Sequence, residues 1–167
     1  LAALITLQKA EKPIEVYAEE YVNPEKEVKS VKEAIDGAKD IIAESVSDEA
    51  DYRSWIRKAT VQHGKVISQA KDEKAESVYE MYYDFEEPVT KLAGHRVLAL
   101  NRGEKEKFLT VKIEAPQDDI LRYLEKKMIH SDNPHTTPIL KEVAEDSYKR
   151  LIAPAIEREI RNDLSEK

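Results

Sequence analysis

The sequence predicts a mainly α protein: a multi-helical bundle with a small two-stranded antiparallel β element. Three observations carry this. Apolar residues recur at helical spacing along most of the chain. Only two short stretches, Lys65–Gln69 and Phe108–Glu114, read as strands. Glycine and proline are few, 4 and 7 in 167 residues, which suits long helices with short breaks.

Leu1, Leu4, Ile5 and Gln8 fall at helical spacing. Pro13 opens a short helix carrying Val16, Tyr17 and Tyr21, and Asn23-Pro24 signals a fresh start, because proline suits the first helical turn. Ser30-Val-Lys-Glu33 is a capping box, in which the serine oxygen accepts from the Glu33 amide and the glutamate reaches back. The stripe Val31, Ala34, Ile35, Ala38, Ile41, Ile42, Ser45 follows it. Gly37 inside that helix costs about 1 kcal/mol relative to alanine, which a close helix contact there would explain. Asp48 can cap the next helix, with Tyr52, Trp55, Ile56 and Ala59 on one face and Gly64 ending it in a left-handed conformation.

Ser77-Val-Tyr-Glu80 is a second capping box. Val78, Met81, Tyr82, Phe85, Val89 and Leu92 continue as a helical stripe, kinked or restarted at Pro88, which cannot donate to Asp84. Gly94–Arg102 fits helix or strand; a short helix stopped by Gly103 is the better fit. Phe108–Glu114 pairs with Lys65–Gln69, turning Phe108, Val111 or Ile113 inward onto helices, since a bare hairpin is marginal in water. Pro116 opens a helix with Ile120, Leu121, Leu124 and Met128. Thr137-Pro138 starts the last, whose stripe runs from Ile139 to Ile160 across Pro154, where a kink is expected.

The length fits one helical region, 1–167, with possible sub-lobes 1–64 and 65–167. The start at Leu1 without a methionine, inside a helical pattern, reads as a piece of a larger protein. With no cysteine there are no disulfides, thiolate metal sites or cysteine nucleophile, which fits a reducing cytoplasm. No apolar run approaches the ~18 residues of a membrane span, so no membrane contact is expected.

Charge is unevenly placed. The net is −7 overall, and residues 11–51 carry 13 acids against 5 bases. Residues 91–112 carry Lys91, Arg96, Arg102, Lys105, Lys107 and Lys112 against Glu104 and Glu106. Binding to nucleic acid is driven by cations that neutralise phosphates, so any polyanion contact belongs in this second stretch, at Arg96, Arg102, Lys105 and Lys107. The same residues also suit humbler roles: Arg102 on helix-end carbonyls, Lys105 and Lys107 keeping a turn solvated.

Other constellations are weaker. His130, Asp132 and His135 share a loop, but their spacing is a poor ligand pattern with no second cluster; Asn133-Pro134 makes a turn there, and Asp132 or Thr136 can cap. Asp40, Glu44, Asp48 and Asp51 lie on a polar helix face that only a two-metal nuclease would put to chemical use. His95 has no identifiable nucleophile or orienting partner. Tyr82 and Phe85 have core spacing, whereas Tyr79 and Tyr83 fit core or surface. No phosphate loop, dinucleotide fingerprint or nucleophile elbow is present, so no enzyme, metal or cofactor is expected.

Beyond these physical signals, the segment Lys91–Pro116 resembles a block of the Tex family of bacterial transcription accessory proteins. The matching positions are His95, Arg96, Leu98, Ala99, Arg102, Gly103 and Glu104, followed by Phe108-Leu-Thr-Val-Lys-Ile113. The stretch from Glu19 to Arg57, with its Gly37-Ala-Lys-Asp-Ile-Ile-Ala-Glu44 centre, and the tyrosine-rich Ser77–Arg96 resemble further blocks of that family in the same order. The resemblance implies a helical scaffold between a helix-turn-helix-like segment and a ribonuclease-H-like domain, with helix-hairpin-helix and OB-fold RNA-binding parts downstream. It implies a cytoplasmic parent that binds RNA or DNA and acts in transcription, with neighbouring domains and the transcription machinery as partners. Direct nucleic-acid contact by residues 91–112 is the alternative, and a nuclease the remoter one.

Overall fold

The computed structural model describes residues 1–22 and 30–166; the expected start at Asn23-Pro24 lies outside them. The protein is mainly α, but its β element is a three-stranded antiparallel sheet instead of the expected two strands. Two compact units form, each from two stretches of chain: 1–53 with 118–153, and 54–117 with 154–167. The sequence suggested a division after residue 64; the contacts place one boundary inside the helix that precedes it.

In the first unit, helix α3 (Val31–Ser47) is the axis, burying Ala34, Ile35, Ala38, Ile42, Ala43 and Val46. Helices α1 (Ala2–Leu7), α2 (Ile14–Ala18) and α7 (Thr137–Asp146) pack on it. The capping box starts α3 as predicted, with Ser30 accepting from the Glu33 amide at 3.2 Å. Two expectations fail here. Among the described residues a β-carbon on Gly37 would meet nothing within 4 Å, so that glycine serves no close contact with them. Ile41 leaves the core, because Ala43 and Val46 shift the buried face away from it. In α2 the core residues are Ile14 and Ala18, while Val16, and Tyr21 in the 3-10 turn that follows, are half-exposed.

α1 ends on Gln8, held in the left-handed region at φ 59°. Its buried amide repays that strain. Nε2 donates to the Met128 carbonyl (2.7 Å), and Oε1 accepts from the His130 (2.8 Å) and Ser131 (3.1 Å) amides. Helix α6 (Gln117–Met128) thus ends on a side chain from the opposite end of the sequence. It buries Ile120, Leu124 and Met128, and its Asp118, Asp119 start and Lys126, Lys127 finish complement the helix dipole. Asn133 shapes the following loop, its Oδ1 accepting from the His135 and Thr136 amides. Thr136 does not cap α7; its hydroxyl is buried and, among the described residues, without a partner.

Before Pro154, where a kink was expected, the chain forms a π-helical segment, Ser147–Ile152, followed in sequence by helix α8 (Ala153–Ser165). Proline removes one amide and crowds the carbonyl four residues back, here that of Arg150; a wider turn relieves both. The segment is tied to α3 by the Ser147 hydroxyl, which donates to the Ala43 carbonyl at 2.7 Å.

In the second unit, strand β1 (Lys65–Ala70) is central, flanked by β2 (Asp84–Pro88) and β3 (Leu109–Glu114). The predicted β1–β3 pairing forms, with Val66 opposite Ile113 and Ser68 opposite Val111. The inward residues of β3 are Leu109, Val111 and, partly, Ile113. β2 replaces part of the helix expected over Val78–Leu92. Its inward positions are Phe85 and Glu87, a charged residue that conceals the strand alternation, and Pro88 ends it on a free edge. The Ser77 capping box fails with that helix: Ser77 Oγ instead accepts from the Tyr79 amide (3.1 Å) and bonds the Tyr83 hydroxyl (2.8 Å), closing a short turn.

Helix α4 (Ala50–His63) delivers Ile56, Ala59 and Thr60 to this core, and Gly64 follows without a left-handed φ. Its requirement is steric: a β-carbon would sit 2.3 Å from the Thr60 carbonyl oxygen and 3.0 Å from that of Glu114.

Candidate nucleic-acid interface

Helix α5 (Gly94–Lys105) carries most of the basic stretch. It buries Val97, Leu100 and Gly103 against β3, which faces the positions i, i+3, i+7 and i+10 from His95 outward: His95, Leu98, Arg102 and Lys105, all exposed. Gly103 is not the stop that the sequence suggested. It lies inside the helix beneath the buried Leu109 side chain, where nothing larger fits.

The stop is four residues later. The Phe108 amide donates to the Gly103 carbonyl (2.9 Å) and the Lys107 amide to that of Glu104 (3.1 Å), the paired bonds of a Schellman motif. Its left-handed position, normally glycine, is Lys107 with φ 68°. A lysine is thereby held at the tip of the helix-to-strand turn, directly after Arg102 and Lys105.

The neighbouring acids are turned to other work. Glu104 takes a two-pronged ion pair from Arg161 of α8, 2.7 Å at the closer oxygen. Glu106 accepts from the Tyr79 hydroxyl. That hydrogen bond, with burial and the Glu106 charge behind it, raises the Tyr79 phenol above its usual value, while Arg102 opposes the shift. Among the described residues Arg102, Lys105 and Lys107 make no ion pair, so three cations stand on one edge without acid partners.

Arg96 does not join them. It is half-buried, with its guanidinium over the Phe85 ring at 5.4 Å, and Phe85 meets Tyr82 edge-on at 5.2 Å. Of the four predicted cations, three share an edge and the fourth is a packing residue. Leu98, a resembling position to which charge assigns no contact, stands 61% exposed among the cations; its signal was the i, i+3, i+7 spacing with His95 and Arg102.

By sequence, the first unit holds 13 Lys and Arg against 20 Asp and Glu, and the second holds 14 of each. The whole −7 therefore sits in the first unit, and the basic edge belongs to one of zero net charge.

The other candidate groups do not assemble. Asp40 lies 3.5 Å from Arg150, which also pairs with Asp146 at 2.9 Å. Among the described residues no three His, Asp or Glu side chains are grouped to hold a metal ion. Among them, too, no helix is long and apolar enough to cross a membrane.

Comparison with known proteins places this architecture. The chain is 55% identical over 153 residues to the protein YdcI of Bacillus subtilis, covering 90% of this chain and 21% of that protein. It is 34% identical over 103 residues to the Bordetella pertussis protein tex, covering 60% of this chain and 13% of that protein. It is 29% identical over 170 residues to the human S1 RNA-binding domain-containing protein 1, covering 93% and 17%. The chain thus spans about a fifth or less of the length of these relatives. A model of the Tex central region matches residues 8–167, essentially the whole chain, which therefore belongs to the Tex family as a central region.

Proposed function

We propose that this chain is a non-enzymatic helical scaffold of a cytoplasmic Tex-type protein that acts in transcription, a region on which neighbouring domains of the parent dock. The observation that carries this reading is the pairing of exposed aliphatic side chains. Leu7 (65%) and Ile41 (61%) face one groove of the first unit, and Val78 (85%) and Met81 (66%) lie three residues apart in the second. Single exposed aliphatics are ordinary; clusters of them on an otherwise charged protein mark surfaces that meet a partner. The share of the relatives' length that this chain spans supports a parent with other domains to meet.

RNA binding is the stated property of an S1 domain in the human relative, and we assign nucleic-acid affinity chiefly to such parts of the parent. A direct contact through Arg102, Lys105 and Lys107 is the second reading. Lys107 favours it: a lysine kept where backbone strain asks for glycine, beside two cations without acids, fits a charge held in place for a polyanion.

The scaffold reading is tested by supplying the remainder of the parent chain in trans and measuring its association with the 167-residue chain by calorimetry. Association that weakens on Met81→Glu or Ile41→Glu supports it. Absence of association at micromolar concentrations defeats it.

A further inference from the structure

The first unit carries an open groove of about 560 Å³ between α1, α3 and the end of α6. Its floor is apolar: Ile42, Val46, Met128 and Leu140 are buried there, and Leu7 and Ile41 stand exposed on its two banks. The banks are built for a helix. α1 presents Ala2, Ala3, Thr6 and Leu7, and α3 presents Ile41, Ile42, Ser45 and Val46, each a pair of i, i+4 rows. Small residues on α1 allow close approach. Residues 41–49 rise about 12 Å, so two to three turns of a third helix fit alongside.

The two banks differ in charge. Glu49 lines the α3 side, and Glu44 and Asp48, at i+3 and i+7 from Ile41, are exposed on the flank of α3 next to it, in a unit whose net charge is −7; Thr6 and Leu7 leave the α1 side without acids. At the far end Lys127 is engaged over the Tyr123 ring, 5.8 Å from its centroid. The acidic bank is felt locally: Tyr52, which also lines the groove, has its phenol raised by burial first and by the Glu49 and Asp51 charges next.

We propose that this groove receives an amphipathic helix with apolar residues at i, i+3 or i+4 and i+7, and with Lys or Arg on the flank that meets α3. This rests on the scaffold reading and names the partner chemistry of one of its surfaces.

Two synthetic amphipathic peptides of about 18 residues, long enough to hold helix, test it. They share a leucine face and differ in carrying Lys or Glu on the flanks. Each is titrated against the 167-residue chain by fluorescence anisotropy. The Lys-flanked peptide is expected to bind, to weaken about tenfold or more with Ile41→Glu and with Leu7→Glu, and to bind as before with Val16→Glu, a half-exposed site on α2. All three positions are exposed, so the variants fold, and circular dichroism verifies that. Equal binding of the two peptides, binding indifferent to Ile41→Glu, or no binding overturns the proposal. If the remainder of the parent still associates in trans, the groove falls and the scaffold stands; if it does not, both fall.

Discussion

Gly103 lies directly beneath Leu109: a β-carbon built on Gly103 would come within 2.3 Å of Leu109 Cδ1 and 2.8 Å of its Cγ. The same β-carbon would lie 3.2 Å from Tyr79 Cγ, and Leu109 is fully buried, so the added methyl is crowded by two packed side chains. This contact lets α5 settle onto β3 and thereby sets the direction in which Arg102 and Lys105 point.

Gly37, Gly64 and Gly103 should therefore separate on alanine substitution. Gly37→Ala gains helix propensity in open space and should stabilise by up to about 1 kcal/mol. Gly103→Ala gains the same but overpacks a closed site, for a net loss of about 1–2 kcal/mol. Gly64→Ala drives its β-carbon into backbone and should cost most. Urea unfolding of the three variants checks the order.

Gln8→Ala strands one carbonyl and two amides that the Gln8 side chain now satisfies. The expected loss is about 2–3 kcal/mol, with faster hydrogen exchange at the His130 and Ser131 amides. A loss under about 0.5 kcal/mol would mean that water replaces the glutamine freely.

Lys107→Gly should raise stability and lower polyanion affinity together. Removing a side chain from the left-handed position gains about 1 kcal/mol. If Lys107 touches a phosphate, the salt dependence of binding to single-stranded RNA should fall by about 0.7 in log–log slope. Arg96→Ala should leave that slope unchanged, since Arg96 is committed to Phe85. An unchanged slope for Lys107→Gly would remove it from the interface.

Hydrogen bonds from Arg150 hold the Asp146 carboxyl below its ordinary range, against an opposing push from burial and with help from the Arg150 charge. A carboxyl depressed on folding contributes stability above its unfolded pKa and loses it as pH falls through the folded one. Both side chains are more than a third exposed, so Asp146→Asn should cost only a few tenths of a kcal/mol at neutral pH. That cost should vanish in strong acid and shrink in high salt, as thermal melts across pH will register.

Much of this was legible in the residues. The period of α3, the β1–β3 pairing and the start of α6 follow from local patterning, and each formed. β2 did not, because Val78, Met81, Tyr82, Phe85 and Val89 satisfy a helical period while Glu87 breaks the strand alternation. Only contact with β1 decides between them, and Pro88 was the one local warning. Gly103 failed for a related reason: a glycine after a helical run reads as a stop, and what distinguishes a close approach is Leu109 across the space. The basic cluster was found by charge alone. Sequence distance could not show that Phe85 draws Arg96 away, or that Arg161 and Tyr79 occupy the two glutamates.

The most direct test of the scaffold account is hydrogen exchange of this region alone and within its intact parent. A docking scaffold exchanges more slowly in the parent at α1 and around Ile41, and in the turn holding Val78 and Met81, with little change across β1 and the buried face of α5. Identical exchange at all of these segments would contradict it.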